Sequence, residues 1–140
     1  KSEHESSYQR EVRIFLESMP YKLLHEFDCS IIPINPNTKQ KMPFDNEVCC
    51  VYGKNLIIET HGAQHYELNG WHIIRAKQRG ITPEDEFEYQ KWKDAFKKGY
   101  AISKGYEYLE IPYWAVNDNT YKNLILEKIE NIKSQYYKNA

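Results

Sequence analysis

Asp45, Glu59, His61 and His65 are the residues of this chain whose types and spacing could do chemistry together. Asp45 closes the run Met42-Pro43-Phe44-Asp45, and fourteen residues later the chain reads Glu59-Thr60-His61-Gly62-Ala63-Gln64-His65. Two carboxylates can hold a hard divalent cation through oxygen, and an imidazole beside them can move a proton near neutral pH. Together they are the equipment of metal-assisted hydrolysis.

Two strands must position them. Val48-Cys49-Cys50-Val51-Tyr52 is a β-rich run, Gly53-Lys54-Asn55 reads as a turn, and Leu56-Ile57-Ile58-Glu59 is the kind of run that enters a buried strand. Folding the chain back at Gly53 brings Asp45 near the level of His61. Side chains alternate with a period of two, so Glu59 and His61 share a face, and one allowed register adds Asp45 to it. A charge at the end of a buried strand costs on the order of several kcal/mol unless it is paired or bound to a cation. Two readings follow. Either a divalent metal meets that cost, or a Lys or Arg pairs with Glu59 at the sheet end and His61 and His65 are satisfied surface histidines.

The remaining elements follow from periodicity and punctuation. Ser6-Ser7 caps a helix running from Tyr8 to Ser18, with Val12, Phe15, Leu16 and Met19 at helical spacing and Pro20 as its stop. Tyr21 to Cys29 reads as a first strand, and Ile31 to Gln40 as a loop. Glu67 to Pro83 reads as a long polar loop facing the site, with room for a short helix. Phe87, Trp92, Phe96 and Tyr100 mark a strong helix ending near Gly105. Tyr106 to Trp114 is a strand, and Leu124, Ile125, Ile129 and Ile132 stripe a C-terminal helix. The order αβββαβα predicts an α/β fold, a mixed sheet with helices packed on its faces.

Pro43-Phe44-Asp45, then Ile57-Ile58-Glu59-Thr60-His61-Gly62-Ala63-Gln64-His65-Tyr66, then Lys93-Asp94 and Tyr106 to Trp114, resembles the PD-(D/E)XK nuclease superfamily. Within it the pattern is most similar to the branch shared by very-short-patch mismatch repair endonucleases and the EDxHD homing endonucleases of phages. The blocks span roughly residues 7–115, and their order and spacing are more specific than any one block. The resemblance implies a restriction-endonuclease-like sheet and a Mg²⁺- or Mn²⁺-dependent endonuclease acting on double-stranded DNA. It implies Glu11, Asp45, Glu59, His61, His65 and Asp94 as catalytic residues, with Glu11 matched to a first-helix Glu that orders metal-bound water. Glu5 and Glu17 are alternatives for that place.

Asp45 is the expected principal metal ligand, with Glu59 or the Thr60 carbonyl completing the protein's share. The superfamily's last motif residue is Lys, whereas this chain has His61. Its two histidines are four apart where the repair branch leads one to expect five. Of the two, His61 is the expected general base, because its strand position shares the face of Glu59.

The same resemblance implies a mobile-element enzyme working in the cytoplasm of a phage-infected or bacterial cell. Sequence recognition is expected to come from a separate domain or from a homodimer. Nicking at mismatches and a catalytically silent DNA-binding module are the alternatives. Because the chain begins at Lys1 without Met, we expect either a trimmed terminus or, for residues 1–140, a single catalytic domain excised from a longer protein.

Composition agrees with one domain and restricts the rest. The 140 residues are 41% hydrophobic and 14% aromatic, enough for one core, and no apolar run reaches membrane-spanning length. Three cysteines without zinc spacing suggest a reducing compartment. Cys49 and Cys50 point to opposite faces of a strand and cannot share one ion. His61-Gly62-Ala63-Gln64-His65 lacks the Glu of a zinc protease.

Nineteen basic against 20 acidic residues leave a net charge of −1, so DNA affinity must rest on a local basic rim. Lys41, Gln64, Tyr66, Trp71, Arg75 and Lys93 are the expected DNA-contacting residues. Lys39, Lys77, Arg79 and Lys91 add charge nearby, while Lys97 and Lys98 read as a solvated helix face. Tyr66, Trp71 and His72 occupy the loop in which an aromatic wedge would sit. Trp92 and Trp114 are expected in the core.

Overall fold

The hairpin anticipated around Gly53 organises the molecule. In the computed structural model, which describes residues 5–140, β2 (Asn46–Val51) turns through Tyr52-Gly53 into β3 (Lys54–His61). Tyr52 and Gly53 both have positive φ, 47° and 82°, the backbone of a type I′ turn whose twist matches antiparallel strands. The turn is therefore one residue earlier and shorter than Gly53-Lys54-Asn55, and Lys54 pairs with Val51. Cys50, at φ 60°, bulges out of the ladder between Val48 and Val51 and is exposed, while Cys49 is buried.

Four strands form one mixed sheet in the order β1-β2-β3-β4, with β1 (Leu23–His25) antiparallel to β2 and β4 (Glu107–Pro112) parallel to β3. The first strand is shorter than Tyr21 to Cys29, because the chain tightens into a 3-10 turn at Glu26–Asp28. A parallel neighbour demands a long crossover, which α2 (Gly70–Arg79) and α3 (Pro83–Ser103) supply. The segment expected as a loop from Glu67 to Pro83 is thus mostly α2. Asn69 caps that helix and Gly80, at φ 70°, ends it in the left-handed region.

Thr82 caps α3 and Pro83 opens it, followed by Glu84, Asp85 and Glu86 at its positive end. On the other side lie α1 (Ser7–Glu17), α4 (Tyr113–Asn117) and α5 (Tyr121–Lys138). The order is thus αβββααβαα, the expected mixed sheet with helices on its faces plus α2 and α4. Among the described residues no helix is long and apolar enough to cross a membrane.

Alternation along β3 divides the interior. Leu56 and Ile58 point into the larger core with Val12, Leu16, Val48, Ile111, Tyr121, Ile125 and Ile129. Ile57 points the other way, into a small core with Cys29, Phe44, Ala101 and Tyr108 beneath α3. Burying aliphatic side chains of this size contributes about 1.5–3 kcal/mol each. The α3 side has few of them, and the same face continues as Glu59 and His61. Trp92 and Trp114, expected in the core, are 38% and 49% exposed.

Candidate active site

Asp45 stands just before β2, opposite the end of β3, where the register pairs Asn46 with Ile58. Its Oδ2 accepts a hydrogen bond from the Thr60 amide at 2.8 Å, and its Oδ1 accepts one from Gln9 Nε2 at 3.2 Å. Asp45, Glu59, Thr60, His61, His65, Lys93 and Asp94 line one open cavity of about 230 Å³. Seven sequence-derived site residues are therefore brought together.

The electrostatics separate the two metal-ligand candidates. Glu59 is already compensated: Lys97 Nζ lies 2.9 Å from its Oε2, and the Tyr108 hydroxyl donates to Oε1 at 3.2 Å. Burial alone would raise this carboxyl, but Lys97 and His61 outweigh it and hold it below its ordinary value. Pairing with a lysine, the alternative to a metal in the sequence reading, is what Glu59 does. Among the described residues Asp45 has no ion-pair partner. Burial and repulsion from Glu59 push its carboxyl well up from the usual range. A half-buried carboxylate whose hydrogen bonds come only from neutral donors, with Lys97 and His61 acting on it from beyond ion-pair distance, fits a hard cation, and Asp45 is where one would sit.

His61 is buried between two carboxylates, with Nε2 3.9 Å from Glu59 and Nδ1 3.6 Å from Glu110, distances of ion pairing rather than hydrogen bonding. Burial opposes its charge, but Glu110 and Glu59 raise it to about 10. Held between two carboxylates through both ring nitrogens, His61 is less free to take a proton from water than an imidazole with one open nitrogen.

His65 stacks on His61 with ring centroids 3.9 Å apart, and its Nδ1 lies 2.8 Å from Asp94 Oδ2. Gln90 Nε2 donates to the other oxygen of Asp94 at 2.9 Å. A carboxylate on Nδ1 fixes the tautomer and leaves Nε2 to work, the arrangement of an oriented base. His61, His65 and Asp94 also offer ligand atoms within 4.8 Å of one another, a nitrogen-rich group suited to softer divalent metals than Mg²⁺.

Glu11 does not join the site. It is exposed beside Tyr121 and Lys122 on the α5 side of α1, and the helix turns Gln9 toward Asp45 instead. Residues two positions apart on a helix, as Gln9 and Glu11 are, point about 200° away from each other, so both cannot face the cavity. The alternatives Glu5 and Glu17 both bind Arg13.

Of the expected DNA contacts, only Lys93 lines the cavity; Lys41 is exposed on the neighbouring loop. The Gln64 carbonyl meets His72 Nε2 at 2.8 Å, and His72 is fully buried, which removes it from any wedge. Tyr66 donates its hydroxyl to Glu110 and packs on Trp114 at 4.7 Å, so it braces the carboxylate behind His61. Trp71 and Arg75 lie on α2, outside the cavity.

Gln9, Gln90, Lys97, Tyr108 and Glu110 escaped sequence reasoning. A signal existed for three of them. Glu86, Gln90, Asp94, Lys97 and Ala101 recur at spacings of four, four, three and four, a polar stripe along the helix that faces the sheet. Glu110 had a weaker one, as a carboxylate between Leu109 and Ile111 in the run read as a strand. Comparison of the chain with protein-family models, with curated proteins and with solved structures gives no match.

Proposed function

We propose that this chain is a metal-dependent endodeoxyribonuclease with a restriction-endonuclease-like fold, hydrolysing phosphodiester bonds of double-stranded DNA with Mg²⁺ or Mn²⁺. The observation that carries this reading is the convergence of the unpaired Asp45 and the His65–Asp94 pair on one open cavity. The order of motif blocks around Asp45, Glu59 and Asp94 supports the substrate class.

Asp45 would hold the metal, and Glu59 or the Thr60 main-chain carbonyl would complete the protein's share. When bound, the cation supplies Lewis-acid polarisation of the phosphoryl oxygen and a more acidic water. His65 takes the proton of the attacking water at Nε2 while Asp94 steadies the charge that develops on the ring. The water oxygen bonds to phosphorus, the bond from phosphorus to the leaving oxygen breaks, and that oxygen acquires a proton from solvent. Lys97 keeps Glu59 ionised, and Lys93 at the cavity edge meets the substrate phosphate.

The resemblance extends the proposal to a mobile-element enzyme of a bacterial or phage-infected cytoplasm, with target choice supplied by another domain or by a second copy. A catalytically silent DNA-binding module is the second reading, favoured by one observation: the Glu59–Lys97 pair satisfies Glu59 without a metal. Incubation of supercoiled plasmid with Mg²⁺ or Mn²⁺, with and without EDTA, decides between them. Nicked or linear product that EDTA abolishes is expected, and intact plasmid together with gel-shifted DNA supports the silent module. Nicking confined to mismatched duplexes assigns the repair-like activity.

A further inference from the structure

Arg75 and Arg79 sit four residues apart on α2, and both reach one carboxylate, Glu86 of α3. Glu86 is completely buried, with Arg79 Nε 3.1 Å and Arg75 Nε 3.9 Å from its two oxygens. Each guanidinium also rests on a ring: Arg75 lies 4.9 Å from the Trp71 centroid and Arg79 lies 4.7 Å from that of Tyr89. Tyr89 is itself fixed, because Asn35 Nδ2 donates to its hydroxyl at 2.7 Å. The two arginine side chains remain 44% and 40% exposed. Among the described residues neither guanidinium donates a hydrogen bond meeting ordinary geometry. Both are therefore held through Nε and against one ring face while close to half of each side chain stays open to solvent.

We propose that Arg75 and Arg79 form a preorganised clamp for a backbone phosphate of DNA, outside the catalytic cavity and continuous with it through Lys93. This rests on the endonuclease reading above. Paired guanidinium forks match phosphate oxygens bidentately, and side chains already pinned on aromatic faces lose less freedom when they bind. Lys93 lies over the same Tyr89 ring at 4.8 Å and lines the cavity, which ties the clamp to the reaction site. Arg75, Arg79 and Lys93 interact with the two carboxylates Glu86 and Asp94, an excess of one positive charge on a chain whose net charge is −1. Trp71 acts as the shelf under Arg75 rather than as a wedge between bases.

Anisotropy of a labelled duplex, titrated at several salt concentrations in EDTA, tests this. Arg79→Ala leaves Glu86 buried without its nearest cation, so the double variant Arg79→Ala/Glu86→Gln keeps the test independent of folding. Losing one phosphate contact should lower affinity by about 8-fold near ~0.1 M salt and reduce the slope of log K against log salt by about 1. Arg75→Ala should act similarly, and Lys138→Ala at the far end of α5 should change neither. Wild-type affinity and slope in a double variant that melts like the wild type overturn the clamp and leave the DNA reading standing. An equal loss in Lys138→Ala overturns it too. Arg79-dependent binding of inorganic phosphate that the duplex does not compete with reassigns the site to free phosphate and overturns the choice of ligand. No binding of any duplex by the wild type removes both the clamp and the endonuclease reading.

Discussion

Lys97 Nζ lies 2.9 Å from Glu59 Oε2 and 3.0 Å from the Pro43 carbonyl, so a helix residue closes the charge balance at the end of β3. Burial opposes the ammonium, but Glu59 and Asp45 hold it protonated. The side chains are 16% and 3% exposed, and removing one partner of a pair this enclosed leaves the other charged and desolvated.

Lys97→Ala should therefore lower stability by about 3–5 kcal/mol and abolish cleavage. The double variant Lys97→Met/Glu59→Gln should recover most of the stability and none of the activity. Urea titrations of the three proteins check this, and a Lys97→Ala midpoint equal to the wild type's would show that the pair carries no stability.

Asp45→Asn should eliminate cleavage and raise the melting temperature in EDTA. An amide accepts the Thr60 hydrogen bond without repelling Glu59, whereas the carboxylate bears both burial and that repulsion. Calorimetric Mn²⁺ titration should lose the binding seen in the wild type. Unaltered Mn²⁺ affinity in Asp45→Asn would remove Asp45 from the metal site.

His65→Ala should slow single-turnover cleavage by about 10²-fold or more and erase the acidic limb of the pH–rate profile, as loss of a general base requires. Asp94→Asn should slow it less and move that limb. His61→Ala should keep the limb even where its rate falls. Loss of the limb in His61→Ala, with its retention in His65→Ala, would return the base to His61.

The pH dependence of stability follows from His61. Its folded-state value, about 10, lies above the ordinary 6.5, so its contribution is complete below about 6.5 and is lost as pH rises toward 10. Glu59 has the opposite sign: its value is depressed, so its contribution is present above the ordinary 4.5 and falls away in acid. Melting temperatures in EDTA should decline between pH 7 and 10 in the wild type, and less steeply in His61→Gln. Parallel curves for the two proteins would mean that His61 is not held charged.

Much of this architecture is legible in the linear chain because its causes are local. A β-rich run and a continuous apolar run on either side of a turn placed β2 and β3, and the strand period of two put Glu59 and His61 on one face. Ser6, Met19 and Pro20 bracket α1, and Ile125, Ile129 and Ile132 mark the buried side of α5 as spacing requires. The turn at Gly53 was displaced by one residue only.

What the tertiary structure alone decided concerns partners distant in sequence. Glu59 meets Lys97 across 38 residues, and nothing in the charged run around Lys97 separates a site lysine from a solvated one until α3 lies on the sheet. Gln9 replaced Glu11 because the roll of α1 about its axis, set by packing Val12 and Leu16 into the core, selects which polar residue faces Asp45. Trp92 and Trp114 were misplaced for the complementary reason. The inward side of α3 carries Glu86, which meets α2, and Gln90, Asp94 and Lys97, and hydrogen bonds and ion pairs let polar groups occupy an interior that hydrophobicity alone assigns to aromatics.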